Sequence, residues 1–260
     1  MKTNKAATAY AHPDKSYVVS MSHSPDGGSV CVGHLDGSVY TFAFSDGVAG
    51  KLTNHGCAPT SLSWGARGFI CAGGADAKIA FYETHASANL ARAPQVFDLG
   101  NARDSSAGKE VGALAFNPTG DVVVVGTYNK FYAFAFDASA MTRGWKERGS
   151  KLVECLYAVT ALGWKPDGSR IGLGAVSGGV DLFDLCVRKS RHGDAFEFTH
   201  VSASNVLVKR LDGGATIVFA SKHGHEIGKI SVHRGRYLTA RTDETLLCGD
   251  VETAKVSEVA

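Results

Sequence analysis

The chain has 260 residues, 44% of them hydrophobic, with 27 Lys and Arg against 25 Asp and Glu and a net charge of +2. That is apolar material for one large core, at a length ordinary for a single all-β domain. No apolar run approaches the roughly 18–20 residues of a membrane-spanning helix, and the N-terminus lacks a signal-peptide core, so a soluble intracellular chain is expected.

One phrase recurs along the chain. Pro25 leads to Gly33, Pro118 to Gly126 and Pro166 to Gly174, always eight positions on. Three residues past each Gly comes Asp36, Asn129 or Ser177, and a fourth copy with a shorter turn is centred on Gly73 and Asp76. Three further on an apolar residue returns: Val39, Ile79, Tyr132, Val180. Self-similarity at about forty to fifty residues is the signature of β-propeller blades.

In the first unit, near 17–47, residues 17–23, 29–33 and 38–44 read as strands. Ser24-Pro25-Asp26-Gly27 is a turn between the first two, with Pro presetting φ and Gly accepting a positive one. Both faces of 38–44 are fairly apolar, as a blade stacked between two neighbours requires. The second unit, near 58–99, ends in an irregular stretch over 84–110, broken by a short strand at Val96-Phe97. In the third, near 111–137, the Val-rich run 121–125 reads as a buried central strand. The fourth, near 159–190, repeats the first: 159–164, turn 165–168, 170–174, turn 177–179, then 180–185.

Two further units are degenerate. Residues 204–211 and 215–220 read as a hairpin around Asp212-Gly213-Gly214, within a unit near 200–221. A last unit near 230–250 fits the template with Ala240 in the Gly position, Asp243 and Leu246 following; 251–260 is assigned to the start of a following segment. The fold class is therefore all-β, a WD40-type propeller of about five to six blades, incomplete, since propellers usually close with four to eight.

The same residues carry a closer resemblance. Residues 17–20, 33–39 and 51–55, then Ala72-Gly73, Asp76 and Val125-Gly126-Thr127-Tyr128, resemble the N-terminal WD-repeat region of the intraflagellar transport protein 172 family. The densest likeness is Leu156-Tyr157 with 160–170, continuing through 196–199, 206–209, 236–238 and 244–250. The resemblance implies a non-catalytic scaffold subunit of the intraflagellar transport B complex, supporting cilium and flagellum assembly. It also implies contacts with other subunits of that complex, and a location in the cilium, at its base and in the cytoplasm. Two propellers and a helical tail are implied for the family, so a fragment or truncated gene product is expected here. A membrane-coat-type propeller scaffold in vesicle traffic is the alternative.

Chemistry is sparse in the sequence. Neither a phosphate-binding G-x-x-x-x-G-K-[ST] loop nor a G-x-G-x-x-G fingerprint after a strand is found, so no cofactor, small-molecule substrate or enzymatic activity is expected. Ser177 lies near glycines without G-x-S-x-G spacing. His223-Gly224-His225 with His233 nearby suggests a metal, but reads better as an exposed turn. Cys31, Cys57, Cys71, Cys155, Cys186 and Cys248 form no C-x-x-C, and several lie in apolar runs, so buried reduced thiols are expected rather than disulfides or zinc. Asp26, Asp36, Asp76 and Asp167 recur because turns use Asx side chains to hold backbone amides. Trp64, Phe116 and Trp164, at matching positions, point to packing between blades.

Charge is uneven. Residues 185–241 hold ten basic side chains against four acidic, whereas 1–184 hold 16 of each. The plainer reading is a solvated basic edge. The sharper one makes Arg188, Lys189, Arg191, Lys209, Arg210, Arg234 and Arg236 a contact for an acidic partner subunit or an anionic membrane surface. Aromatics are not interleaved with this stretch, so nucleic acid is not expected.

Overall fold

The computed structural model describes residues 10–84, 93–101, 110–137, 143–154, 156–185, 188–214 and 216–259. Among the described residues six antiparallel sheets follow one another along the chain. The first holds β1 (Val18–His23), β2 (Ser29–His34), β3 (Ser38–Ala43) and β4 (Ala49–Asn54). The second holds β5 (Ser61–Trp64), β6 (Phe69–Gly73), β7 (Lys78–Glu83) and β8 (Gln95–Asp98). The third holds β9 (Ala113–Phe116), β10 (Val122–Gly126), β11 (Lys130–Asp137) and β12 (Gly144–Leu152). The fourth has three strands, β13 (Val159–Trp164), β14 (Arg170–Ala175) and β15 (Val180–Asp184). The fifth holds β16 (Arg188–His192), β17 (Phe196–His200), β18 (Asn205–Arg210) and β19 (Thr216–Ala220). The sixth holds β20 (Ile230–His233), β21 (Tyr237–Arg241), β22 (Leu246–Asp250) and β23 (Lys255–Val259).

The first two strands of each of the first four sheets are joined by one kind of turn. Its fourth residue is a Gly at φ between 70 and 73: Gly27, Gly68, Gly120 and Gly168. Each of these amides donates back to the first turn residue, at 2.9 Å to Ser24, 3.1 Å to Gly65, 3.0 Å to Asn117 and 2.8 Å to Lys165. A side chain at that φ would be strained, which is why Gly holds the place.

The first four sheets stack face to face with their first strands in a row, and the fifth and sixth pack on each other. Ser22 Oγ of β1 accepts from the Trp64 amide of β5 at 3.1 Å. Ser61 and Ser63 of β5 accept from the Leu114 and Phe116 amides of β9 at 3.0 and 3.3 Å. Trp164 Nε1 of β13 donates to the Ala115 carbonyl at 3.1 Å. Apolar clusters fill the gaps between sheets one and two (Cys31, Val39, Leu62, Ile70) and two and three (Phe69, Phe81, Val125, Phe134, Trp145). Others lie between three and four (Val124, Val159, Ile171, Leu173) and five and six (Phe198, Val208, Phe219, Leu238, Leu247). Trp145 stacks on Phe81 with ring centroids 4.3 Å apart. The Val run of β10 is buried along its whole length, as a strand covered on both faces must be.

Five strands fall outside the template read from the sequence, among them β4, past the first unit's end at 47, and β17, ahead of the unit near 200–221. β12 carries the third sheet past 137; only Trp145 in it is buried, so it has no apolar pattern to read. β16, with no apolar residue, ladders onto β17, placing 188–190 in the fifth sheet. β23 ladders onto β22, so 255–259 continue the sixth sheet rather than opening another segment. Within 84–110, Val96-Phe97 lie in β8; residues 85–92 and 102–109 lie outside the described residues, as do Cys155 and Cys186.

Candidate functional site

The Asx positions do what turn chemistry requires. Asp36 Oδ1 accepts from the Ser38 amide at 3.0 Å, Asp76 Oδ1 from the Lys78 amide at 3.2 Å and Asp167 Oδ1 from the Ser169 amide at 2.9 Å. Trp64, Phe116 and Trp164 are partly buried against clusters between sheets. Cys31 and Cys71 are fully buried free thiols, and burial pushes the Cys31 thiol up to about 12.

The basic positions separate into two groups. The ladder of the fifth sheet sets Glu197 between Arg191 on one side and Lys209 on the other. Glu197 Oε1 lies 3.7 Å from Lys189 Nζ and Oε2 3.5 Å from Arg191 Nη2. Lys189, Arg191 and Lys209 are exposed around this one carboxylate, opposite the face whose Phe198, Val208 and Phe219 build the core. Arg188 precedes them on β16, paired with His200. The others are engaged elsewhere. Arg210 binds Asp212 through Nε and Nη2, and that bond holds the Asp212 carboxyl below its usual range. Arg236 grips Asp250 through Nε at 3.0 Å and Nη2 at 2.7 Å, and Glu252 through Nη1 at 2.6 Å. The Arg236 bond holds Asp250 down to about 2. Arg234 sits exposed in the turn between β20 and β21 at φ 52.

A cleft lined in part by Asp121, Phe134, Arg148, His200, Ser202 and Ile227 lies between the third and fifth sheets. Its polar groups are not arranged for nucleophilic chemistry. Among the described residues Ser202 Oγ is buried without a hydrogen-bond partner, so none of them serves it as a base. Asp121 is held by Arg67, 3.7 Å away, and by Ser204, 2.6 Å away.

Metal-ligand atoms converge elsewhere than at His223 and His225, whose rings are 6.1 Å apart. His55, Cys57 and Asp76 bring one ligand atom each to within 4.8 Å of one another. The spacing His-x-Cys was visible in the sequence, but Asp76 comes from the next sheet and reads there only as a turn residue.

Stacked sheets, a row of first strands and Asx-held turns define a WD-repeat β-propeller protein. Residues 4–42 match the family described as WD domain, G-beta repeat. A chain in the crystal structure of the mitotic checkpoint complex shares the fold, with a TM-score of 0.51 at 16% identity over 97% of this chain and 66% of that one. Intraflagellar transport protein 172 of Chlamydomonas reinhardtii is 42% identical over 264 residues, 100% of this chain and 14% of its own length. The Homo sapiens homolog is 38% identical over 266 residues, with the same two shares, and the Drosophila melanogaster homolog 32% over 263 residues. The chain is similar along its whole length to these intraflagellar transport proteins, and it spans 14% of their length.

Proposed function

We propose that this chain is a non-catalytic scaffold segment of the intraflagellar transport machinery, acting through protein contacts with other subunits of the B complex during cilium and flagellum assembly. The observation that carries the reading is relatedness along the whole chain, at 38–42% identity, to proteins named for intraflagellar transport. The stacked sheets suit surface presentation: a rigid core holds outward strands and turns for docking, although fold alone fixes no partner. The exposed group Lys189, Arg191 and Lys209, with Arg188 beside it, is the proposed contact for an acidic partner subunit, and an anionic membrane surface is its competitor.

The test is a fluorescent tag at the gene's own locus. Signal at the cilium base with particles moving along the axoneme supports the proposal. A diffuse cytosolic or Golgi-like signal overturns it, the second in favour of a membrane-coat scaffold.

A further inference from the structure

The geometry points to a divalent metal site of the zinc class at the junction of the first two sheets, with His55 Nε2, Cys57 Sγ and an Asp76 carboxylate oxygen as ligands. The three atoms lie within 4.8 Å of one another, and His55 Nε2 is 3.8 Å from Asp76 Oδ1. Bonds of about 2.0–2.2 Å at tetrahedral angles set nitrogen and oxygen ligands of zinc roughly 3.3–3.6 Å apart, so the His–Asp pair stands within a few tenths of an ångström of metal-bridging distance. It is too far apart for a hydrogen bond.

A second observation points to a ligand. The His55 side chain is 2% exposed, yet its Nε2 has no hydrogen-bond partner among the described residues. An unmet buried nitrogen costs about 1–3 kcal/mol unless something fills its place. The other ring nitrogen, Nδ1, meets Tyr82 Oη at 3.3 Å. Orienting a metal-binding imidazole through its far nitrogen is the usual supporting arrangement.

The loop is built to hold these atoms. The His55 amide donates to the Gly37 carbonyl at 2.8 Å, and Asn54 Oδ1 accepts from the Gly56 amide at 2.9 Å. A Cβ on Gly74 would fall 2.6 Å from both Cys57 Sγ and the Ala58 carbonyl oxygen, so bare backbone is what lets the thiol approach the Asp76 turn. Thiolate, not thiol, is the form of cysteine that binds a metal. Binding therefore releases the Cys57 proton to solvent as the sulfur–metal bond forms. One imidazole, one thiolate and one carboxylate suit zinc, and the half-exposed Asp76 side leaves a fourth position for water. Such an ion would fasten the crossover between β4 and β5 to the β6–β7 turn.

The test uses the purified 260-residue chain. Cobalt is added as a spectroscopic stand-in, and zinc affinity is read by competition with a chromophoric chelator. One zinc per chain is expected, with a thiolate-to-cobalt charge-transfer band. Cys57→Ser is expected to abolish that band and weaken zinc binding more than about tenfold, while His223→Ala changes neither. A second measurement needs no variant: zinc should slow iodoacetamide alkylation of Cys57 and leave Cys248 unchanged. Absence of stoichiometric zinc, binding lost in His223→Ala but kept in Cys57→Ser, or unprotected Cys57 would each overturn the site.

Discussion

The Ser204 hydroxyl donates to Asp121 Oδ2 at 2.6 Å, across 83 positions of sequence, and ties the turn before β18 to the turn before β10. Arg67 Nη2, from the turn before β6, donates to the same Ser204 oxygen at 2.9 Å. Three sheets thus meet at one buried carboxylate. The Asn117 side chain donates to its Oδ1 at 2.8 Å, and Thr119 Oγ1 donates there too.

Removing either partner should leave buried groups unmet. Ser204→Ala is expected to cost about 1–3 kcal/mol, the penalty of an unsatisfied buried polar group. Asp121→Ala should cost about 3–5 kcal/mol, because Arg67 then keeps a buried charge without its partner. Urea melts of the two variants check this; Asp121→Ala equal to wild type would show that the network does not hold the sheets.

The same carboxylate makes stability depend on pH. Burial pushes Asp121 up, but Arg67, Ser204, Thr119 and Asn117 together outweigh it and hold the group below its usual value. A folded value below the unfolded one, about 3.9, means the unfolded chain binds more protons in between. The contribution is present above about pH 4 and is lost as pH falls through the folded value. Melting temperature should drop on acidification below that point, and Asp121→Asn should flatten the drop.

Much of the architecture is written in local residues, and what is missing is missing for local reasons. Pro-Asp-Gly turns and the Val run of β10 mark their strands because the turn and the burial act on the residues themselves. β12 and β16 are hidden because they lie at sheet margins, where few side chains are buried and polar residues are tolerated. Charge density drew attention to 185–241, yet composition cannot show that Arg210 and Arg236 are already satisfied by Asp212, Asp250 and Glu252. His55, Cys57 and Asp76 meet only because two sheets stack, and no spacing along the chain encodes that.

The basic residues of β16 and Arg236, locked onto two carboxylates, should behave differently. Arg188, Lys189 and Arg191 changed to Glu should weaken binding to an acidic partner subunit, most strongly at low salt, where exposed charges are least screened. Arg236→Ala should leave that binding unchanged while loosening its own carboxylates. Pull-down with B-complex subunits over a salt series reads both. Unchanged binding of the triple variant at low salt would remove the fifth sheet from the interface.

The recurring Gly gives the sharpest contrast, because its four copies are not equivalent in space. A Cβ on Gly33 would fall 2.6 Å from Pro59 Cγ and 3.0 Å from Leu62 Cδ1. On Gly73 it would fall 2.7 Å from Val111 Cγ1, and on Gly126 2.5 Å from Val159 Cβ. In each case the nearest obstacle belongs to the next sheet or the segment leading into it. Gly174 meets only Ala161 of its own sheet, at 3.4 Å, an ordinary contact. The cross-strand partners follow suit: Val39 and Ile79 are fully buried, whereas Val180, the partner of Gly174, is 71% exposed. Gly73→Ala and Gly126→Ala should therefore force neighbouring sheets apart, at about 1–3 kcal/mol each. Gly174→Ala should be neutral, or stabilising by roughly 0.4–1 kcal/mol through the unfolded chain's lost freedom. Thermal melts of the three variants decide it. A Gly174→Ala cost as large as that of Gly126→Ala would mean that another blade covers β14 and β15 in solution.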